Sequence, residues 1–564
     1  MARARASGLL AVWFGLASAA TQAGPPDIAL VSPRALRPGS AAVLVLKGKE
    51  LAGTRTLWTS WAGRLDRNDA EGWECLDDSL KIPVFVPASH PAGIEGIRIL
   101  GTNGVSNLAW VLVDGLRSES LQAGSAPDRS PPVLKPPVAV DGVMLEAGVR
   151  VFRLPLNRGQ RISLEVVAQR WGSPTDPVLR VLDAAGNERV YANDTPGLGS
   201  DVALEFQAPD SGDYRVELRD AEYLGGPAQA FRLRVGSFPV GALAAEPVVG
   251  IVPDSNRQPS EVGWVSTVSS QSGWARARVA STAAGEIGWA RLELTGSHRR
   301  EVLMPRTEAV PGRVAAESEP NDRLESATVL DSPGLAVGQF NTATDQDWYR
   351  FSVSTAGWWR IQARSRSLGR TSDPQLRLVR ADGSVVASAT AGDPDPAIFH
   401  RFETPGPYWI SISDAGRRHG PGREYVLELD SQAGAFRTST ETERVHVPVG
   451  GKQTLKIKVE PRGYDGTIRI EAEGLPAGFE MENPVVEARK KEWDLVIRCR
   501  AEVDVGQATP VRFRARATAE GGGGTAGLEV TPAQRKAFPR MLWVPPGLID
   551  NVWVGAVPAE KPSG

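Results

Sequence analysis

Two stretches of this chain repeat one another in register. Phe152-Arg153-Leu154-Pro155-Leu156 corresponds to Tyr349-Arg350-Phe351-Ser352-Val353, and Gly159 to Gly357. Thr175-Asp176-Pro177-Val178-Leu179-Arg180 corresponds to Ser372-Asp373-Pro374-Gln375-Leu376-Arg377, and Gly186 to Gly383. Asp213-Tyr214-Arg215-Val216 then falls on Pro407-Tyr408-Trp409-Ile410, and Phe231-Arg232-Leu233 on Tyr425-Val426-Leu427. The offset stays between 194 and 198 throughout. Chance does not hold such a register, so the chain contains two copies of one domain.

Within each copy the apolar residues alternate. Tyr349, Phe351 and Val353 are separated by polar residues, as are Tyr408, Ile410 and Ile412, and Tyr425, Leu427 and Leu429. A period of two places such side chains on one face of a strand and their neighbours in water. Short strands closely spaced predict an all-β fold of tandem β-sandwich domains, jelly-roll and immunoglobulin-like. The 59 Gly and 43 Pro, almost a fifth of the chain, supply the turns such strands need.

At 564 residues the chain has room for roughly four domains of about 150 residues. With 64 basic and 66 acidic residues it has no basic excess, which argues against a nucleic-acid partner. Arg3 and Arg5 precede the apolar run Leu9–Leu16, followed by small residues with Ala17-Ser18-Ala19 or Thr21-Gln22-Ala23 as cleavage sites. This predicts a removable signal peptide over 1–23, and hence a secreted, periplasmic or cell-surface protein. No later apolar stretch is long enough to span a membrane. Cys75 and Cys499 lie far apart and read as inert thiols, not as a disulfide.

Residues 25–115 show an opening Ser32-Pro33, a strand-like Val43–Leu46 before Gly48, and an Asn103-Gly104 hairpin signal between Gly96–Leu100 and Ala109–Val113. This segment resembles an IPT/TIG immunoglobulin-like module. A Pro-rich linker follows over 116–137, then the first repeat copy over 138–237. Residues 238–312 form a β-rich stretch with Gly263-Trp264, Gly273-Trp274 and Gly288-Trp289, whose Trp rings suit either core packing or sugar stacking. The second copy occupies 317–432. Another immunoglobulin-like sandwich is expected over 437–520, where Leu455, Ile457 and Val459 alternate near Gly474-Leu475-Pro476-Ala477-Gly478. Residues 521–564 read as a Gly-rich linker and tail.

The second copy opens with Glu319-Pro320-Asn321-Asp322 and continues through Asp345-Gln346-Asp347-Trp348-Tyr349-Arg350-Phe351, Gly357, Asp373-Pro374, Asp382-Gly383, Gly406-Pro407-Tyr408 and Tyr425. In this it resembles the bacterial pre-peptidase C-terminal (PPC) domain family. The first copy keeps the strands without the acidic opening. The resemblance implies a jelly-roll-like sandwich of the kind carried by secreted proteins, including multi-domain proteins of planctomycete-type bacteria. It also implies a calcium site drawn from the opening segment and the turn before the aromatic strand. Matched motif by motif, the ligands would be Glu317, Glu319, Asn321, Asp322, Asp345 and Asp347, with the turn spacing leaving Asp347 the loosest match.

The residues themselves allow two readings. Calcium takes six to eight oxygens, and carboxylates with an amide carbonyl are its usual donors. So many acids would repel one another and gain protons unless a cation compensated them. Alternatively, the opening is a solvated acidic stretch in which Asn321 or Asp322 caps a short helix over Arg323–Val329. Asp176 and Asp373, present in both copies, read as structural turn residues.

No His-Glu-x-x-His, Gly-x-Ser-x-Gly or P-loop pattern occurs, and the five histidines are scattered. The expectation is therefore a non-enzymatic binding or spacer protein with an extracellular or envelope protein or polysaccharide as partner. An accessory subunit or cryptic hydrolase of the secreted-peptidase type, and a self-assembling structural envelope component, are the alternatives.

Overall fold

The computed structural model describes residues 24–241, 314–530 and 551–559, apart from 70, 122–130, 196–197, 367–369, 371, 391–394, 421, 432–434 and 519–523. It also describes residues 533 and 536, and the backbone of five further strands between 243 and 309. The predicted signal peptide lies outside the described residues. Among the described residues the bounded regular elements are β-strands and three single 3₁₀ turns, and residues 533 and 536 are α-helical. The molecule is a tandem series of β-sandwiches. No helix among the described residues is long and apolar enough to cross a membrane.

The first module pairs one sheet, ordered Asp27–Ser32, Ala41–Lys49, Ser79–Phe85, Glu74–Cys75, with a second built on Ala109–Val113, Gly93–Gly101 and Thr54–Thr59. Leu44, Leu46, Ile82, Ile97, Ile99 and Val111 fill the space between them. The hairpin turns on Thr102-Asn103, and Gly104 already pairs with Gly101.

The two repeat copies share one strand order. In the first, Ser118–Ser120, Val138–Val143, Ala230–Gly236, Arg161–Val167 and Val202–Gln207 form a five-stranded sheet. It faces Arg150–Leu156, Gly212–Asp220, Pro177–Leu182 and Glu188–Asn193. In the second, the five are Val314–Ala316, Gly334–Gln339, Glu424–Asp430, Gly357–Arg364 and Ala397–Phe402. They face Asp347–Val353, Gly406–Asp414, Pro374–Val379 and Val385–Ala389, with Thr328–Val329 added beside the first of these. The alternating rows seen in the sequence are the cores: Phe152, Leu154 and Leu156 in one copy, Tyr349, Phe351 and Val353 in the other. Each such side chain contributes about 1.5–3 kcal/mol when fully buried.

Ser118–Ser120, within the Pro-rich stretch, is a parallel edge strand of the first sandwich. Just before that stretch, Asp114 is buried and accepts from Arg232 Nε at 2.8 Å and Arg234 Nε at 3.0 Å. Arg232 also reaches Asp141, and Arg234 reaches Glu165. Burial alone would raise the Asp114 carboxyl, but the two guanidiniums outweigh it and hold the group below its ordinary range. Beside this network Ala35, Trp110 and Leu112 pack on Val167 and Trp171.

The backbone of Ser260–Ser266, Ser272–Val279, Gly288–Leu294 and Arg306–Ala309 forms an antiparallel meander with Leu243–Glu246. Gly263 stands opposite Trp274 and Trp264 opposite Gly273. In the last module, Leu455, Ile457, Val459, Ile470, Leu495, Ile497 and Phe513 share one core. Its sheet includes Val552–Val557 from the tail, parallel to Arg444–Pro448 and antiparallel to Ala508–Val511. Cys75 and Cys499 are free thiols.

Candidate metal site

Strand Asp347–Val353 turns Asp347, Tyr349, Phe351 and Val353 inward. Asp347 heads that row with no exposed surface, so a carboxylate occupies a core-facing position. Tyr425 donates its hydroxyl to Asp347 Oδ2 at 2.6 Å, and the Tyr349 and Tyr425 hydroxyls lie 2.7 Å apart. Tyr349 Oη is 3.4 Å from Glu317 Oε2. Gly338 stands opposite Tyr425, and a Cβ there would fall 2.3 Å from the Tyr425 hydroxyl. The ring tips fit because that strand has no side chain at this point.

The opening segment is held against the same spot. The Glu317 N–H donates to Val337 O, and its Oε1 accepts the Gln339 N–H at 2.8 Å. Glu319 Oε2 accepts the Asn321 N–H at 2.8 Å, while Asn341 Nδ2 reaches Glu319 Oε1 at 3.1 Å. Asn321 is fully buried, and its carbonyl accepts the Trp348 N–H at 2.9 Å. One carboxylate oxygen each from Glu317, Glu319 and Asp347 lies within 4.8 Å of the other two. Among the described residues this is the one place where three such ligands converge.

The electrostatics are those of an uncompensated cluster. Burial, reinforced by Glu319 and Asp345, pushes the Glu317 carboxyl up to about 7 despite the opposing Gln339 N–H. Burial and then the Glu317 charge push Asp347 up to about 9. No guanidinium or ammonium is among the main influences on either group. Asn321 completes the arrangement. With its NH₂ facing the carboxylates it donates at 3.2 Å to both Asp347 Oδ1 and Glu319 Oε2. Turned the other way, it would point a further oxygen into the same space. An all-oxygen set with spacings of this size suits a hard cation, whose ligands at 2.3–2.6 Å stand roughly 3–4 Å from one another.

The other expected ligands lie outside the trio. Asp345 is buried, but its carboxylate accepts the amide N–H of Asn341 and, at 3.4 Å, of Thr342, closing the turn. Burial, opposed by the Asn341 N–H and reinforced by Glu319, raises its carboxyl. Asp322 points to solvent. Asp347, the loosest motif match, is instead central, because the pleat of its strand points it inward and the facing sheet brings Tyr425 to it. The helix-cap alternative fails on geometry: only a 3₁₀ turn forms over Leu324–Ser326, its N-cap is Arg323, and no side chain caps it.

The first copy has the same place filled differently. Leu121 donates its N–H to Asp141 O where Glu317 donates to Val337 O. Arg150 pairs with Leu218 where Asp347 pairs with Ile412. Phe152 and Phe231 take the positions of Tyr349 and Tyr425, and Gly142 that of Gly338. The register of the repeat carried this signal, since both tyrosine hydroxyls are lost together with the acids.

Asp176 and Asp373 sit in equivalent turns, but the organising carboxylates are Asp220 and Asp414. Asp220 accepts the N–H groups of Asp176, Glu222 and Leu224. Asp414 accepts those of Asp373, Gly416 and Arg418. The Asp373 side chain instead pairs with Arg366 at 2.9 Å. Ser60, Glu95 and His90 gather the residue types of a hydrolytic triad, but Glu95 stands in the middle, bonded to the Ser60 hydroxyl and to His90 Nε2. The imidazole is thus not the group on the hydroxyl, as base catalysis by a triad requires.

No protein-family model and no curated protein matches the chain. Among solved structures it is similar to the pre-peptidase C-terminal domain of a collagenase from Bacillus anthracis, at 18% identity and a TM-score of 0.17. That match covers 20% of this chain and 100% of the other. It is also similar to the N-terminal four immunoglobulin domains of Dscam1, at 8% identity and a TM-score of 0.18, covering 90% and 99% of the two chains. A third likeness is to elastase-activated alpha-2-macroglobulin of Escherichia coli, at 10% identity and a TM-score of 0.14, covering 93% of this chain and 52% of the other. By its own sheets, the chain is a modular all-β protein of tandem sandwiches, one of which gathers three carboxylates around a single point.

Proposed function

We propose that this is an exported, non-enzymatic modular protein whose second repeat sandwich holds a calcium ion, and whose sandwiches present faces to an envelope protein or polysaccharide. Export rests on the charged and apolar pattern of residues 3–16. The ion rests on one observation: Glu317, Glu319 and Asp347 converge with no positively charged side chain among the main influences on Glu317 or Asp347, at a place the sister domain fills with Leu121 and Arg150. Those three carboxylates, with Asn321 as a fourth oxygen donor, would hold the ion. Because Glu317 and Glu319 belong to the approach to the domain and Asp347 to its core, the ion would tie the incoming chain to the sandwich.

The test is thermal melting of the purified full chain with calcium and with a chelator, alongside Asp347→Asn. Calcium raises the melting temperature of the parent and leaves the variant unmoved. Equal melting of the parent in both conditions removes the ion from the account. Binding of envelope polysaccharides to the immobilised chain then tests the partner.

A further inference from the structure

The first and last modules touch, through hydrogen bonds between residues 339 to 450 positions apart in sequence. Trp58 and Trp553 meet edge to face with ring centroids 5.3 Å apart, over a small apolar cluster with Leu100, Val105 and Ala508. Arg98 is 1% exposed; it pairs with Glu443 at 2.8 Å and lies 5.7 Å over the Trp553 ring. At the centre, the Val105 N–H donates to His446 Nε2 at 3.0 Å, and Val105 O lies 3.1 Å from the same nitrogen. Gly104, at a φ of 108°, makes room for the imidazole: a Cβ there would fall 2.3 Å from His446 Cδ2.

Strand Arg444–Pro448 turns Val445 and Val447 into the module core and His446 to the other side, toward the first module. Arg444 stands on its own strand, donating to Pro26 O and Val105 O at 3.2 Å each, with Asp27 at 3.8 Å. Arg98 faces the joint from the first module, and Glu443 is bonded to it. The tail strand Val552–Val557 sets Gly555 opposite His446 and brings no titratable group. The imidazole therefore sits in a joint that needs an acceptor for the Val105 N–H and whose two carboxylates, Glu443 and Asp27, are already paired with Arg98 and Arg444.

We infer that this joint is an acid-released latch, closed while His446 is neutral and opened when the imidazole takes up a proton. A protonated ring carries hydrogen on both nitrogens, so it no longer accepts from Val105, and it adds a third cation beside Arg98 and Arg444. Burial, then Arg444, lowers the His446 value from 6.5 to about 4, outweighing the bond that a protonated ring would donate to the Val105 carbonyl. For a histidine depressed in this way, the stabilisation is complete above the free value and is lost as pH falls from about 6.5 toward 4. Opening becomes about tenfold easier for each pH unit across that window.

The test is hydrogen exchange on the full chain at pH 7 and 4.5, each variant compared at the same pH. The reporter is the turn 101–106, and the inner strand Gly212–Asp220 of the first sandwich serves as internal control. In the parent, the ratio of protection in the turn to protection in the inner strand falls about a hundredfold between the two conditions. In His446→Gln, which accepts from Val105 but does not titrate, that ratio stays. His446→Asn stands in if the glutamine variant does not fold. Equal loss in parent and variant, loss in the inner strand along with the turn, or unchanged protection in the parent each overturn the latch.

Discussion

Arg150 and Asp347 hold the same place in two sandwiches of one strand order, and around them charge is buried in opposite ways. The first sandwich compensates its charges internally. Arg150 donates to Val143 O at 3.0 Å, Phe152, Phe231 and Leu121 belong to the apolar core, and acids of the sheet that carries Arg232 and Arg234 meet these guanidiniums. The second sandwich brings Glu317, Glu319 and Asp347 together with tyrosine hydroxyls and an amide, none of which carries positive charge. One domain is complete on its own chain. The other has a deficit that a proton or a cation must fill.

The comparison breaks most severely at Asp114. Asp114→Asn leaves Arg232 and Arg234 short of a buried partner, which costs about 3–5 kcal/mol. Denaturant unfolding should show the first module and first sandwich losing stability together, with the second sandwich unmoved. A loss confined to the first module would show that the network does not join the two.

The reverse exchange sharpens the contrast. Glu317→Leu with Asp347→Asn removes from the second sandwich the uncompensated acids that the first lacks. The ion-free parent has carboxyls raised to about 7 and about 9, so its stability is full below the unfolded values near 4 and falls as pH rises through 7 toward 9. The double variant should lack that fall and melt above the ion-free parent at pH 9. Calcium should flatten the parent's slope and leave the variant's unchanged. Melting curves from pH 5 to 9, with and without chelator, give all four profiles.

The glycines that seat the two aromatic pairs offer the smallest test. Gly338→Ala sets a methyl against the Tyr425 and Tyr349 hydroxyls at 2.3 and 2.5 Å. Gly142→Ala meets the Phe231 ring at 2.9 Å and Leu121 at 3.1 Å. Both overpack, within the usual range of about 1–3 kcal/mol, with Gly338 the costlier. Equal costs, measured by calorimetry, would mean that the hydroxyl pair is not held in place.

Much of this architecture was legible in the sequence because its signals are local or periodic. The row Tyr349, Phe351, Val353 is a core row, and the repeat register returns as a common strand order. What stayed hidden depends on contacts across long separations. Asp347 meets Tyr425 through strands 78 residues apart. Asp220 and Asp414 organise turns that begin some 40 residues earlier, whereas Asp176 and Asp373 stand out locally because a proline follows each. The tail gave no period to read, yet Val552–Val557 completes the last sheet and brings Trp553 to Trp58. Motif matching also weighted Asp322 and Asp345 like the other acids, and only backbone direction separates an exposed carboxylate from a converging one.

A calorimetric calcium titration of the chelator-stripped full chain at pH 7.5 tests the second sandwich most directly, run in two buffers of different ionisation enthalpy. One ion should bind per chain, with protons released as Glu317 and Asp347 ionise, and Asp347→Asn should give no such heat. No binding in the parent, or equal binding in the variant, would contradict the claim that these converging oxygens form a cation site.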